Sequence, residues 1–309
     1  MKCTPLVSGP VLMRAGRVRE FFQEAMHDPE KESFVWEYAP HIRAFFHKCW
    51  KFGSFVSTFD DGISLWIDLS DHIESQVYLH DMQEGDRGLI RLLRRQWTAG
   101  KTFIDIGANI GVYTAMAAKR IGSGGMVYAF EPVQRTFKRM EDNIKLNNFA
   151  NVKTYNIALS STTGTASIWI PKHNNLGMSS LHPNSTSLDE ETIMAITLDR
   201  WVKQEKINTV DIIKIDVEGH ELEVLKGALD TITKLRPIIA LELSREHLGR
   251  AGTSPEDIAE LLITCGYQAY GISDYGEALP ANRWGDHQNA LFIPNDYQTA
   301  DITTMYGGR

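Results

Sequence analysis

The sequence predicts an α/β fold, a doubly wound and mostly parallel sheet, preceded by a mainly helical N-terminal extension. Three observations carry that prediction. Short β-branched runs alternate with helical periodicity from Thr102 onward. Val210–Val217 (VDIIKIDV) is the most strand-like stretch of the chain. The first fifty residues instead scatter Phe21, Phe22, Phe34, Trp36, Phe45 and Trp50 among charged residues, with no strand period.

Taken in order, Arg17–Met26 and His41–Trp50 read as amphipathic helices separated by Asp28-Pro29 and Ala39-Pro40. This preface would cover a sheet edge, cap a site, or mediate homo-oligomer contacts through residues 1–52. Ser54–Asp68 reads as a hairpin around Asp60-Asp61-Gly62. Asp71–Leu79 and Asp86–Gln96 read as helices. The polar segment between them, Tyr78–Gly85, is placed to fold over a ligand, with Glu84 as its candidate contact.

Phe103–Ile106 is the first core strand, and its helix runs through Ala118. Met126–Phe130 and Val152–Ile157 follow as strands, with a helix over Thr136–Asn147 between them. Thr165–Ile170 is a further strand, with Ala195–Leu198 as its partner. Pro171–Glu191 between them is rich in Asn, Ser and Pro, and reads as an inserted loop acting as a lid. Thr197 caps the next helix. After Val210–Val217 come a helix over Leu222–Leu229, a strand over Pro237–Leu243, a helix from Ser254 to Ile263, and strands over Tyr267–Ile272 and Asn289–Ile293.

The stretch Thr102–Thr114, TFIDIGANIGVYT, organises the rest. A strand breaking into Gly107-Ala-Asn109-Ile-Gly111 and then a helix is the opening of a nucleotide-binding unit. Its glycines admit close backbone approach, and the helix start offers free N–H groups. Glu131 ends the second strand, where an acid can hold both hydroxyls of a ribose. The glycines do not fall in the register of a dinucleotide fingerprint, and there is no P-loop sequence.

Composition narrows the classes. The chain has 309 residues, of which 43% are hydrophobic and 23% charged, as in a globular protein. A formal net charge of −7 argues against nucleic acid as the partner. Cys3, Cys49 and Cys265 form no disulfide or zinc framework, which indicates a reducing compartment. No run approaches the ~18 apolar residues of a membrane span, and no signal-peptide core is present. The expected location is cytoplasmic, with no membrane partner.

Phe103–Thr114, Tyr128–Pro132, Asn143–Asn148 and Asp211–Ala228 (DIIKIDVEGHELEVLKGA) together resemble the FkbM-type methyltransferases. The likeness spans about residues 60–295 and is densest at Lys214, Asp216, Glu218, Gly219, His220 and Glu221. It implies a seven-stranded class I, Rossmann-like fold and S-adenosyl-L-methionine (SAM) as methyl donor. It also implies a small-molecule acceptor, usually a hydroxyl on a sugar, polyketide or related natural product. The expected organisation is then a helical extension (1–52), a hairpin and helices (53–100), and a SAM-binding domain (101–300) carrying the loop 171–191. A non-catalytic binding module and an N-methyltransferase acting on a small amine are the alternatives.

By position at strand ends, Asp105, Gly107, Asn109 and Gly111 are expected to line the methionine and ribose. Glu131 should accept from the ribose hydroxyls, and Asn156 and Ala158 should flank the adenine. Asp216 ends the central strand and is the first candidate for general base, with His220 at the following helix start as the second. Glu218 and Glu221 read as helix-capping acids. Lys214, interior to a strand, needs an acidic partner such as Asp105. No histidine–carboxylate set has metal-ligand spacing along the chain, so metal-independent transfer is expected, with Asp216, Glu242 and His247 the group to watch.

Overall fold

A computed structural model of the chain describes residues 9–26, 29–51, 53–59, 61–82, 85–171, 179–182 and 188–297. The chain forms two compact units, one drawn from residues 1–84 and one from residues 85–171 and 178–309. Among the described residues no helix is long and apolar enough to cross a membrane.

The first unit holds helices α1 (Gly9–Met26) and α2 (Pro29–Cys49), strands β1 (Phe55–Thr58) and β2 (Ser64–Ile67), and helix α3 (His72–His80). The strands pair antiparallel, Phe55 opposite Ile67, as the hairpin pattern predicts. Asp71 caps α3 by accepting from the Glu74 N–H. Arg19 fastens α1 to the hairpin and the end of α3, donating to Ser57 Oγ at 2.8 Å and pairing with Asp81 at 2.9 Å. The expected break at Ala39-Pro40 does not occur, because α2 continues through Pro40. That proline is exposed and costs the helix one N–H bond without ending it. The segment expected over the ligand is partly helix, since Tyr78–His80 completes α3. Glu84 lies outside the described residues.

The second unit opens with α4 (Arg87–Gln96), β3 (Thr102–Ile106), α5 (Val112–Ile121), β4 (Met126–Phe130), α6 (Gln134–Leu146) and β5 (Val152–Tyr155). There follow β6 (Ala158–Leu159), β7 (Gly164–Pro171), β8 (Leu188–Ile196), α7 (Leu198–Glu205), β9 (Ile212–Ile215), α8 (Glu221–Lys226) and α9 (Leu229–Leu235). The last elements are β10 (Ile238–Ser244), α10 (Arg245–Arg250), α11 (Pro255–Thr264), β11 (Tyr267–Ile272), β12 (Ala278–Pro280) and β13 (His287–Pro294).

The main sheet runs β12-β11-β13-β10-β9-β3-β4-β5. The strands from β10 to β5 are parallel, and β13, β11 and β12 pair antiparallel. It has eight strands where seven were expected, the extra one being the three-residue β12 beyond a turn at Gly276. A strand that short leaves no period to read.

A separate three-stranded sheet joins β6, β8 and β7. It shortens the expected loop, because Leu188–Glu191 is strand paired with Ile168–Pro171. Of the remaining loop, Ser179–His182 is described, with Ser180 bridging Trp169. Residues 172–178 and 183–187, on which most of the lid expectation falls, lie outside the described residues.

Strand alternation divides the main sheet into two unlike faces. Ile104, Ile106, Ile213, Ile215, Ile239, Leu241 and Phe292 join one buried apolar cluster with Val224, Leu225 and Leu262 of the covering helices. The other face carries Asp105 and Lys214, which are register partners, then Glu242 and Asn289, which are also register partners. A one-residue slip would drive these polar groups into the apolar layer, so the register is strongly specified.

Candidate active site

The polar face converges at the C-terminal ends of β3, β9 and β10. Lys214 Nζ lies 3.1 Å from Asp216 Oδ2 and 3.9 Å from Asp105 Oδ1, and 4.7 Å above the Tyr113 ring. Burial alone would lower the Lys214 pKa, but Asp216, Asp105 and Asp86 hold it above the usual lysine value. The expected acidic partner is thus present, with Asp216 nearer than Asp105.

Asp105 is 0% exposed and accepts from Thr114 Oγ at 2.6 Å. Burial raises its pKa, which Lys214 and Thr114 partly offset. Its full burial differs from the ligand-lining role the sequence suggested. Instead it fixes Lys214 and the first turn of α5 from beneath.

Asp216 and Glu242 form a carboxylate pair. Burial works to raise the Asp216 pKa, yet Lys214 and a hydrogen bond from Glu242 bring it below the ordinary value. Glu242 is pushed well up, by burial and then by Asp216, Glu218 and Asp86. The two carboxyls are thus pushed in opposite directions, Asp216 toward the ionised form and Glu242 toward the neutral one. His287 Nε2 stands 3.2 Å from Glu242 Oε1.

Glu218 Oε2 lies 2.7 Å from His247 Nδ1 without closing a hydrogen bond of normal geometry, and the carboxylate raises the imidazole pKa against its partial burial. This pairing replaces the expected helix-capping role of Glu218. Gly219, at φ 102°, allows it: a Cβ there would fall 2.5 Å from the His247 carbonyl oxygen.

Asp86 completes the group. It is the N-cap residue of α4 but makes no side-chain capping bond. Asn289 Nδ2 donates to its Oδ1 at 3.3 Å, and the Tyr113 hydroxyl lies beside it without closing a hydrogen bond of normal geometry. Burial and the nearby Asp216 push the Asp86 carboxyl up to about 6. Asp86, Tyr113 and Asn289 were not singled out from sequence. An aspartate at a helix start reads as a cap, and an asparagine opening a late strand carries no signal of its own.

Beside this cluster the turn Gly107–Gly111 leaves β3. Gly107, Asn109 and Gly111 all have positive φ, at 76°, 52° and 86°. A Cβ on Gly107 would sit 1.8 Å from the Asp216 carbonyl oxygen, so only glycine lets the ends of β3 and β9 approach this closely. Glu131 accepts from the Asn109 N–H through Oε2 and the Val133 N–H through Oε1, each at 3.0 Å. Burial pushes its carboxyl up to about 7, and these two amides only partly counter it. Asn156 Nδ2 donates to the carbonyls of Glu131 and Pro132, both at 2.9 Å. The structure thus gathers Gly107, Asn109, Gly111, Glu131 and Asn156, with Ala158 opening β6 just beyond.

His220 has a different occupation from the one expected. Its Nε2 meets Ser160 Oγ at 2.9 Å and its Nδ1 meets His182 Nε2 at 3.2 Å. Burial and His182 lower its pKa to about 4. With both nitrogens engaged it has none free for an acceptor proton. Together with Ser180, whose Oγ donates to the Glu218 carbonyl at 2.7 Å, it clasps residues 179–182 to the start of α8.

A family model described as the methyltransferase FkbM domain matches residues 105–269. The hexuronic acid methyltransferase AglP of Haloferax volcanii is 30% identical over 178 residues, covering 58% of this chain and 68% of that protein. Methyltransferase 1 of Beauveria bassiana is 25% identical over 158 residues, 45% of this chain and 63% of that protein. Among solved structures, methyltransferase FkbM from Methylobacillus flagellatus is 16% identical, with a TM-score of 0.40 over 92% of this chain and 60% of that one. The Bacillus cereus O-methyltransferase in complex with SAH is 18% identical, with a TM-score of 0.41 over 69% of this chain and 81% of that one.

Proposed function

The chain belongs to the FkbM methyltransferase family and is a SAM-dependent methyltransferase, and from that premise we propose that it methylates a hydroxyl group of a sugar-like small molecule. The observation that carries the reading is the 30% identity to a protein named as a hexuronic acid methyltransferase.

Its own residues fit the cofactor. Glu131 is a buried carboxylate served by only two amide donors, and its raised pKa marks that shortage. Two ribose hydroxyls would supply the missing donors. Gly107, Asn109 and Gly111 shape the turn for close backbone approach. Asn156 holds the Glu131–Pro132 turn in place, and Ala158 just beyond is the residue assigned to flank the adenine. Bound SAM supplies a methyl group already activated by the sulfonium charge.

Asp216 then serves as the base. It is held by Lys214, which favours its ionised form, and stands at a strand end whose position is fixed by the backbone bond from its N–H to Ile106 O. Asp216 would accept the proton of the attacking hydroxyl, and that oxygen would take the methyl group that bound SAM supplies. The excess of carboxylates over lysine here favours an amine acceptor as the second reading.

SAM affinity is expected in the micromolar range, roughly −7 to −8 kcal/mol. Glu131→Ala should weaken it by about 1.5–3 kcal/mol in calorimetry. Incubation with SAM and panels of uronic acids, neutral sugars, polyketide hydroxyls and amines should add one methyl group to a sugar oxygen, read by mass shift. Methylation of amines alone would establish the second reading. Binding of NADH or ATP with none of SAM would overturn both.

A further inference from the structure

We propose that Glu218, Glu242 and His247 form a divalent-cation site at the C-terminal ends of β9 and β10, beside Asp216. One potential ligand atom from each of the three lies within 4.8 Å of the others. Donors sharing one ion at about 2.0–2.3 Å stand roughly 3–4.5 Å apart, so small side-chain rotations close the set. An imidazole among carboxylates suits Mn²⁺, Fe²⁺ or Zn²⁺ better than the all-oxygen cages of Ca²⁺.

A second observation points the same way. Asn289 is 9% exposed, and its side-chain oxygen has no hydrogen-bond donor. Its amide nitrogen is committed to Gly85 O and Asp86 Oδ1, which fixes how the oxygen is presented. Asn289 is the register partner of Glu242 and shares its sheet face, so a further oxygen ligand, or an acceptor for an ion-bound water, stands next to the cluster. The backbone is also bent to this arrangement. Glu218 adopts φ 54°, a strained left-handed conformation for a non-glycine residue, and Gly219 lets α10 bring His247 against it.

Charge completes the argument. Glu242 faces the charges of Asp216, Glu218 and Asp86, while Lys214 pairs with Asp216 and Asp105. A divalent ion would offset this crowding of carboxylates. The expectation of metal-independent transfer followed from spacing along the chain, whereas these donors come from a turn, a strand and a helix that only the fold brings together. Such an ion would bind the acceptor oxygen, a role that rests on the methyltransferase reading above.

The test uses the full chain, treated with chelator and titrated with Mn²⁺ alone while the free-ion electron paramagnetic resonance signal is followed. One saturable site is expected. His247→Ala and Glu242→Gln should each weaken it by about 10–100-fold or more, while Glu131→Gln leaves it unchanged. Near-UV circular dichroism on the same samples shows which variants are folded, SAH binding is followed by calorimetry, and the His247 variant decides if the Glu242 variant is not folded. No saturable Mn²⁺ binding by the wild type, or equal affinity in folded His247→Ala, would overturn the proposal. Mn²⁺ bound without any SAH binding would sink the cofactor reading and leave the cation site standing.

Discussion

At the residue scale, Gly107 shows how narrow the tolerances of the site are. Its absent side chain would overlap the Asp216 carbonyl, and its φ of 76° is strained for any other residue. Gly107→Ala is expected to destabilise the protein by more than about 3 kcal/mol, from strain and from pushing β3 and β9 apart. Denaturant unfolding together with SAM calorimetry checks this, and a variant as stable as wild type with normal binding would refute it. Single residues were legible in the sequence where their type conflicted with their setting. Lys214 inside an apolar strand announced an acidic partner, and Glu131 at a strand end announced a polar task. Asp86 and Asn289 gave no such conflict, because their partners are about two hundred residues away in the chain.

At the scale of elements, the turn from β9 into α8 is closed by Glu221, which is 2% exposed and accepts the Val217 and Gly219 N–H groups through Oε1. Its Oε2 is buried without a donor. Burial, the largest cause, raises its carboxyl from 4.5 to about 7, although the amides of the turn lower it. The folded state therefore binds an extra proton between those values. Stability from this group falls as pH rises through that window, by on the order of 3 kcal/mol in full. Glu221→Gln keeps the oxygen that accepts both amides and removes the charge. Urea unfolding at pH 5 and pH 8 should show a smaller loss for the variant than for wild type, and an identical pH slope would reject this account. The helix-capping reading of Glu221 was close in sequence terms, whereas the clasp made by His220 was not. Its partners Ser160 and His182 come from a second sheet and from the segment beside it, which no local pattern links to α8. Likewise, strand–helix alternation revealed the parallel half of the sheet, while β12 and α10 were too short to leave a period.

At the scale of the whole molecule, a formal net charge of −7 and a site crowded with carboxylates set the electrostatic character. Duplex DNA is expected to show no retention at physiological salt in a gel-shift assay, because binding to phosphates requires a compensating basic face. A salt-sensitive complex there would mean that a local basic patch outweighs the overall balance.

The order of strands in the main sheet has a bearing on how the protein is made. β13 lies between β10 and β11, so those two strands never pair with each other. Until the chain extends past Asn289 and on to Pro294, each of these strands keeps one bare edge. Exposed edges of this kind are where nascent chains stick to one another. The same late segment delivers Asn289 to Glu242 and Asp86. A chain cut short before it is expected to leave β10 and β11 with open edges and to lack the Asn289 contacts to Glu242 and Asp86.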